Sequence, residues 1–224
     1  MPRDNHPRER QARKLARKQG KTAPYDRILI VCEGSKTEPH YFEEIRQDLR
    51  APTANICILP SQLGTNPLQV VKYAKQLFEK GDSLQNVHPR AFEKVYAVFD
   101  RDEHRNYYDA LSYAATLDGK LKNDDRKKIP FQAIASVPNF ELWLLLHFED
   151  IRHTLHRDEV IDHLKSYLVG YEKGRGGYFA RTKHLLPTAL GRASQLALTN
   201  TAYDGAAPYT DVGKLVDLLT ELKK

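Results

Sequence analysis

The chain has 224 residues, 41% of them hydrophobic and 29% charged, and a net charge of +6. That size and balance fit a globular protein of one domain, or one domain with an appendage. No apolar run approaches the roughly 18 residues that span a bilayer, and the first residues lack the apolar stretch of a secretory signal, so a cytoplasmic protein with no membrane partner is expected.

Residues 1–24 carry eight basic side chains against Asp4 and Glu9, a surplus equal to the charge of the whole chain. Arg10, Arg13, Lys14, Arg17 and Lys18 lie within it, several at near-helical spacing. Such a tail either contacts nucleic-acid phosphates or serves as a solubilising arm. A first strand is predicted over Arg27–Glu33, followed by the turn Gly34-Ser35-Lys36-Thr37 and a helix over Glu38–Leu49. A second strand, Asn55–Leu59, precedes a helix over Pro67–Lys80, where Val70, Val71, Ala74, Leu77 and Phe78 form an apolar stripe. A third strand over Lys94–Asp100, a helix over Asn106–Leu117 and a fourth strand over Ile129–Ala135 follow. This alternation predicts an α/β core (25–138) with a mostly parallel sheet flanked by helices.

From residue 139 the pattern turns helical, with helices predicted over Asn139–Phe148, Asp158–Leu168, Thr182–Ala197 and Asp211–Lys223. They make a C-terminal part (139–224) expected to pack on the core. Between the second and third of these pieces, four glycines in residues 170–177 predict a flexible loop. It holds Lys173 and Arg175, with Arg181 close behind and Tyr171, Tyr178 and Phe179 interleaved. Cations and aromatics so mixed suit nucleic acid, although such loops also merely join helices. Cys32 and Cys57 both fall inside apolar strands and read as buried free thiols.

The chemistry is expected where two of the strands end. Ile28–Cys32 runs straight into Glu33 and Gly34, and Val95–Phe99 runs into Asp100-Arg101-Asp102. Ligands of open α/β sheets bind at the carboxyl ends of the strands. Alternation along a strand would point Asp100 and Asp102 the same way. Glu33, Asp100 and Asp102 so gathered repel unless a cation joins them, which makes the three a candidate metal site, and oxygen-only ligands suit Mg²⁺ or Mn²⁺. The competing assignment has Glu33 and Asp100 capping a turn and a helix start. Glu38 opens the next helix, either near the crevice or complementing the helix dipole.

The conjunction of Glu-Gly ending an early strand with Asp-x-Asp ending a later one resembles the Toprim domain of topoisomerases, primases and OLD-type nucleases. ILIVCEGSKTEPHYF, VYAVFDRDEH, SVPNFELWLLLHF and the segment Pro208–Val212 with Leu215 and Val216 resemble the RloB family of bacterial restriction and abortive-infection loci. The resemblance covers nearly all of the chain after residue 25. It implies a Toprim-like fold, Glu33 as the general acid or base, Asp100 and Asp102 as a metal pair, and an Mg-dependent nuclease acting in phage defence. A regulatory subunit that binds nucleic acid or a nucleotide without cleaving it is the alternative. A toxic nuclease also needs restraint, which suggests a partner from the same locus, and the tail and apolar C-terminal helices could serve a homo-oligomer.

Further candidates surround these acids. Asn139 reads as a helix N-cap, and Glu141 faces either that helix end or the acidic crevice, where the family motif suggests a metal or substrate contact. Lys36 follows Glu33 and is placed to meet a phosphate oxygen or an oxyanion, unless it is an exposed turn lysine. His104, close after Asp102, is a candidate proton donor or a surface histidine. No GxxxxGK[ST] phosphate loop occurs.

Overall fold

A computed structural model describes residues 26–53, 55–64 and 66–222. The predicted basic tail, with Arg10, Arg13, Lys14, Arg17 and Lys18, lies outside the described residues. Five strands, β1 (Ile28–Cys32), β2 (Ile56–Pro60), β3 (Lys94–Asp100), β4 (Phe131–Val137) and β5 (Tyr209–Thr210), form one sheet in the order β2-β1-β3-β4-β5. The first four run parallel and β5 pairs antiparallel with β4. The fold is thus an α/β sheet, mostly parallel, with helices on both faces.

Parity along β1 assigns each side chain to a layer. Ile28, Ile30 and Cys32 pack with Tyr41, Phe42 and Ile45 of α1 (Thr37–Asp48) and with the C-terminal helices. Leu29 and Val31 pack instead with α2 (Pro67–Lys80) and α3 (Tyr107–Leu117). Both faces of β1 are therefore dry, which explains its unbroken run of apolar residues. Cys32 and Cys57 are free thiols, the first buried and the second half-buried.

The C-terminal part comprises α4 (Glu141–Leu145), α5 (Arg157–Tyr167), α6 (Tyr178–Thr182), α7 (Leu186–Thr199) and α8 (Val212–Glu221). Trp143 of α4 is completely buried, and its indole N–H donates to the Tyr41 hydroxyl at 2.9 Å, tying this part to α1. Several predicted bounds shift for local reasons. Pro130 has no amide to pair, so β4 starts at Phe131 and not at Ile129. The apolar run after Asn139 is helical only to Leu145, because His147 and Phe148 bond three residues back and tighten the chain. The helix predicted from Thr182 begins earlier, passes through a 3₁₀ turn at Lys183–Leu185 and restarts at Leu186, where Pro187 fits a first turn.

Candidate functional site

The site lies at the carboxyl edge of β1 and β3, which are neighbours in register with Cys32 opposite Val98. Glu33 continues the ladder through its own amide, which donates to the Val98 carbonyl at 2.9 Å. Its carboxylate then turns across the strand end. Oε2 accepts the Asp100 amide at 3.0 Å, and Oε1 shares a 3.0 Å hydrogen bond with His104 Nε2. Chain folding thus brings Glu33 onto the residue predicted to be its partner 67 positions away.

Asp100, the last residue of β3, is buried. Burial, followed by the charges of Glu38, Glu141, Glu33 and Asp102, holds its carboxyl well above the ordinary range. Burial likewise pushes Glu33 up to about 8, helped by Glu38 and Asp102 and opposed by the Asp100 amide and Lys173. Glu38 is raised by its burial and then by Glu141. The charges of Glu38, Glu141, Glu33 and Asp102 thus bear on Asp100 at one sheet edge, and their mutual repulsion costs free energy that Arg157 and Lys173 offset only in part.

Gly34, directly after Glu33, is closely approached by a side chain. A Cβ on Gly34 would overlap the Glu38 carboxylate, whose Oε1 accepts the Gly34 amide at 3.4 Å. Gly34→Ala should move the Glu38 carboxylate, a flexible chain end, and so change stability by less than about 1 kcal/mol. Divalent-ion affinity should nonetheless fall, which a calorimetric titration of the folded variant would measure.

Asp102 reaches the site differently from expectation. β3 stops at Asp100, and Asp102 sits in a turn with φ +37°, so strand alternation does not aim it. Its Oδ2 pairs with Arg157 Nη1 at 3.1 Å, while Oδ1 is buried without a partner. A left-handed aspartate is uncommon and points to a position held by its surroundings.

Glu141 faces the crevice and is fully buried. Its Oε1 accepts the Tyr171 hydroxyl at 2.9 Å and lies 3.6 Å from Lys173 Nζ, whereas Oε2 has no partner. Asn139 is not the helix cap that was expected. Its amide donates to the Arg157 carbonyl at 3.4 Å, its Oδ1 is buried and unpartnered, and α4 has no side-chain cap.

A family model, RloB-like protein, matches residues 28–219. The chain belongs to the RloB-like protein family. No curated protein and no solved structure matches it.

In this RloB-like chain the glycine-rich segment is tied down, not free. The Gly174 amide donates to Thr37 Oγ1 at 2.9 Å, and the Gly177 and Phe179 amides both donate to the Glu44 carboxylate on α1. That clasp delivers Lys173 to the acids. Desolvation lowers its pKa, but Glu141, Asp100, Glu38 and Asp102 outweigh it, and the ammonium is held above its usual value. Arg175 is exposed, and Arg181 donates to the Val169 carbonyl and lies over the Tyr178 ring. Lys36 is exposed in the turn, its stem close to Gly174.

Sequence reasoning missed Tyr171 and Arg157. Tyr171 was visible only as one aromatic among several in the glycine-rich loop, and Arg157 carried no signal, since α5 opens far from either acidic motif. His104 was weighed as a surface residue, yet it is half-buried against Glu33. Tyr171→Phe should cost about 2 kcal/mol in urea unfolding, because it removes a hydrogen bond to a buried carboxylate.

The donor set fits a hard divalent cation. Asp102 Oδ1, Glu141 Oε2 and Asn139 Oδ1 are buried oxygens lacking protein partners. Among the described residues no three His, Cys, Asp or Glu side chains are arranged to hold a metal by themselves. An open site matches Mg²⁺, which keeps several waters and takes only one or two protein carboxylates beside substrate phosphate. Among the described residues, no helix is long and apolar enough to cross a membrane.

Proposed function

We propose that this RloB-like protein is a divalent-metal-dependent phosphoryl-transfer enzyme, a Toprim-type nuclease of bacterial phage defence that cleaves DNA or RNA phosphodiesters. The observation behind the reading is the convergence of Glu33, Glu38, Asp100, Asp102 and Glu141 on one sheet edge, with buried oxygens left unpartnered. Mg²⁺ or Mn²⁺ held by Asp100 and Asp102, with Glu141 as a further contact, would polarise a phosphodiester and offset its charge.

The chain's own groups account for the rest. Glu33 and His104 share a hydrogen bond at the edge of the site, where the pair is placed to exchange a proton with a reacting group. Lys173 sits among the acids on a loop pinned by Thr37 and Glu44, where its ammonium is placed to meet a phosphate oxygen. Lys36, across from Gly174, lies on the solvent side of the same loop. Restraint of such an enzyme in its host would fall to a partner from its own locus.

The test is cleavage of a panel of DNAs and RNAs with Mg²⁺ or Mn²⁺ by wild type, Asp100→Ala and Glu33→Gln. Loss of cleavage in both variants with the fold retained supports the assignment. Equal activity in all three refutes it, and tight nucleic-acid binding without turnover by wild type would favour a non-catalytic binding subunit.

A further inference from the structure

The described residues hold an aromatic pair that folding does not explain. Tyr108 and Tyr203 stack with centroids 6.1 Å apart and planes at 18°, yet remain 40% and 53% exposed. Another stacked pair, Phe148 with Tyr167, leans Phe148 on the core and shows water only one exposed ring. We propose that Tyr108 and Tyr203 form a stacking platform for the bases of a single-stranded nucleic acid. The idea rests on reading the neighbouring acids as a nuclease site, and it adds the substrate class: strands whose base faces are open.

The topology puts the platform beside those acids. Tyr108 lies in the first turn of α3, directly after the turn that carries Asp102 and His104. Tyr203 lies in the loop that enters β5, and β5 pairs with Ser136 and Val137 at the carboxyl end of β4. Both rings thus stand at the sheet edge where β3 delivers Asp100. A run of ring contacts ties the platform to β3 on its α3 side, the face opposite to that of the Asp100 side chain: Phe99 to Tyr107 at 5.9 Å, Tyr107 to Tyr108 at 5.3 Å, and Tyr108 to Tyr203.

The platform is also pre-organised. Buried Tyr107 donates its hydroxyl to the Ala202 carbonyl at 3.0 Å, fixing the loop against α3. Asp204 accepts the Thr201 amide at 2.6 Å, Thr201 Oγ1 accepts the Tyr203 amide at 3.2 Å, and Asn200 closes the loop onto the Pro208 carbonyl at 2.9 Å. A ring held this way loses little freedom when a base covers it. Nearby Arg101 and Arg105 are matched in sequence by Glu103, Asp109 and Asp204. Attraction of phosphate is therefore weak here, and the affinity comes from base faces on aromatic rings.

The experiment measures anisotropy of a fluorescein-labelled oligothymidylate with the full chain in EDTA, against an abasic strand of equal length. Wild type should prefer the strand with bases. Tyr108→Ala and Tyr203→Ala should each weaken that strand about tenfold, leave the abasic strand unchanged and keep the same dependence on salt. Tyr203→Phe should bind as wild type, and Tyr203→Leu as the alanine variant. Equal binding of the two strands by wild type, wild-type affinity in the alanine variants, or equal loss on both strands would overturn the platform. No cleavage occurs in these conditions. A strand preference that persists in a protein never seen to cleave would retire the nuclease reading and leave the platform standing.

Discussion

Asp100→Asn should lower metal-dependent cleavage by about a hundred- to a thousandfold, the loss expected when one electrostatic stabiliser of a transition state is removed, and should make the metal-free protein more stable. The two effects have one cause. Asp100 is buried at the end of β3, and four other carboxylates raise its pKa further. Its charge is unfavourable for folding in the absence of a cation and, in the proposed reading, would attract one. Asparagine preserves the volume and removes the charge, so relief of repulsion should raise the metal-free unfolding free energy at pH 8. Urea unfolding in EDTA and cleavage with Mn²⁺ read the two halves separately. A variant that is inactive because it is misfolded would lose stability, the opposite sign. Wild-type cleavage by Asp100→Asn would end the metal-pair assignment.

The core of this site was legible because it depends on strands buried on both faces. Ile28–Cys32 and Val95–Phe99 must pair within a sheet, and whatever follows such strands emerges at one edge. That is why Glu33 and Asp100 meet although 67 residues separate them. Pro67–Lys80 and Lys94–Asp100 fold over the predicted bounds, one set by an amphipathic stripe and a proline start, the other by an unbroken apolar run that ends in a charge. RloB-like membership was legible from the same segments, because residues 28–219 contain all of them.

What stayed hidden depends on packing between distant pieces. β5 has two residues, too few to show a period, and exists because Thr210 and Tyr209 find Ser136 and Val137. Asn139 looked like a cap because local rules favour Asn there, but α4 is short and buried, and the side chain turns to the Arg157 carbonyl instead. Tyr171 and Lys173 join the acids only because Thr37 and Glu44 hold the glycine-rich loop against α1. The turn at Asp102 is likewise a tertiary effect. Strand alternation predicted a shared face with Asp100, and a left-handed residue that pairs with Arg157 achieves the proximity by another route.

Metal-free stability should fall as pH rises from about 5 to about 8, and divalent ions should restore it mainly at the upper end. In the unfolded chain the Glu33 carboxyl releases its proton near 4.5, whereas in the folded protein it holds the proton to about 8. Between those values the folded state binds more protons than the unfolded state, so the slope of unfolding free energy against pH is negative. Asp100 and Glu38 are raised in the same direction and add to it. Across the window the loss should be about 3 kcal/mol, given 1.36 kcal/mol for each pH unit of displacement and allowance for relaxation. Below about pH 4.5 the group contributes its full stabilising effect, and above about 8 the curve flattens. An ion that needs the carboxylates charged must displace those protons, so Mn²⁺ or Mg²⁺ at a hundred times its dissociation constant should return about 2.7 kcal/mol at pH 8 and little at pH 5. Urea unfolding from pH 5 to 8, with EDTA or with Mn²⁺, gives both curves. Glu33→Gln should make the EDTA curve shallower and leave the part that Asp100 and Glu38 contribute. A rise in metal-free stability over this range, or equal stabilisation by Mn²⁺ at both ends, would show that the carboxylates do not share a space that one ion relieves.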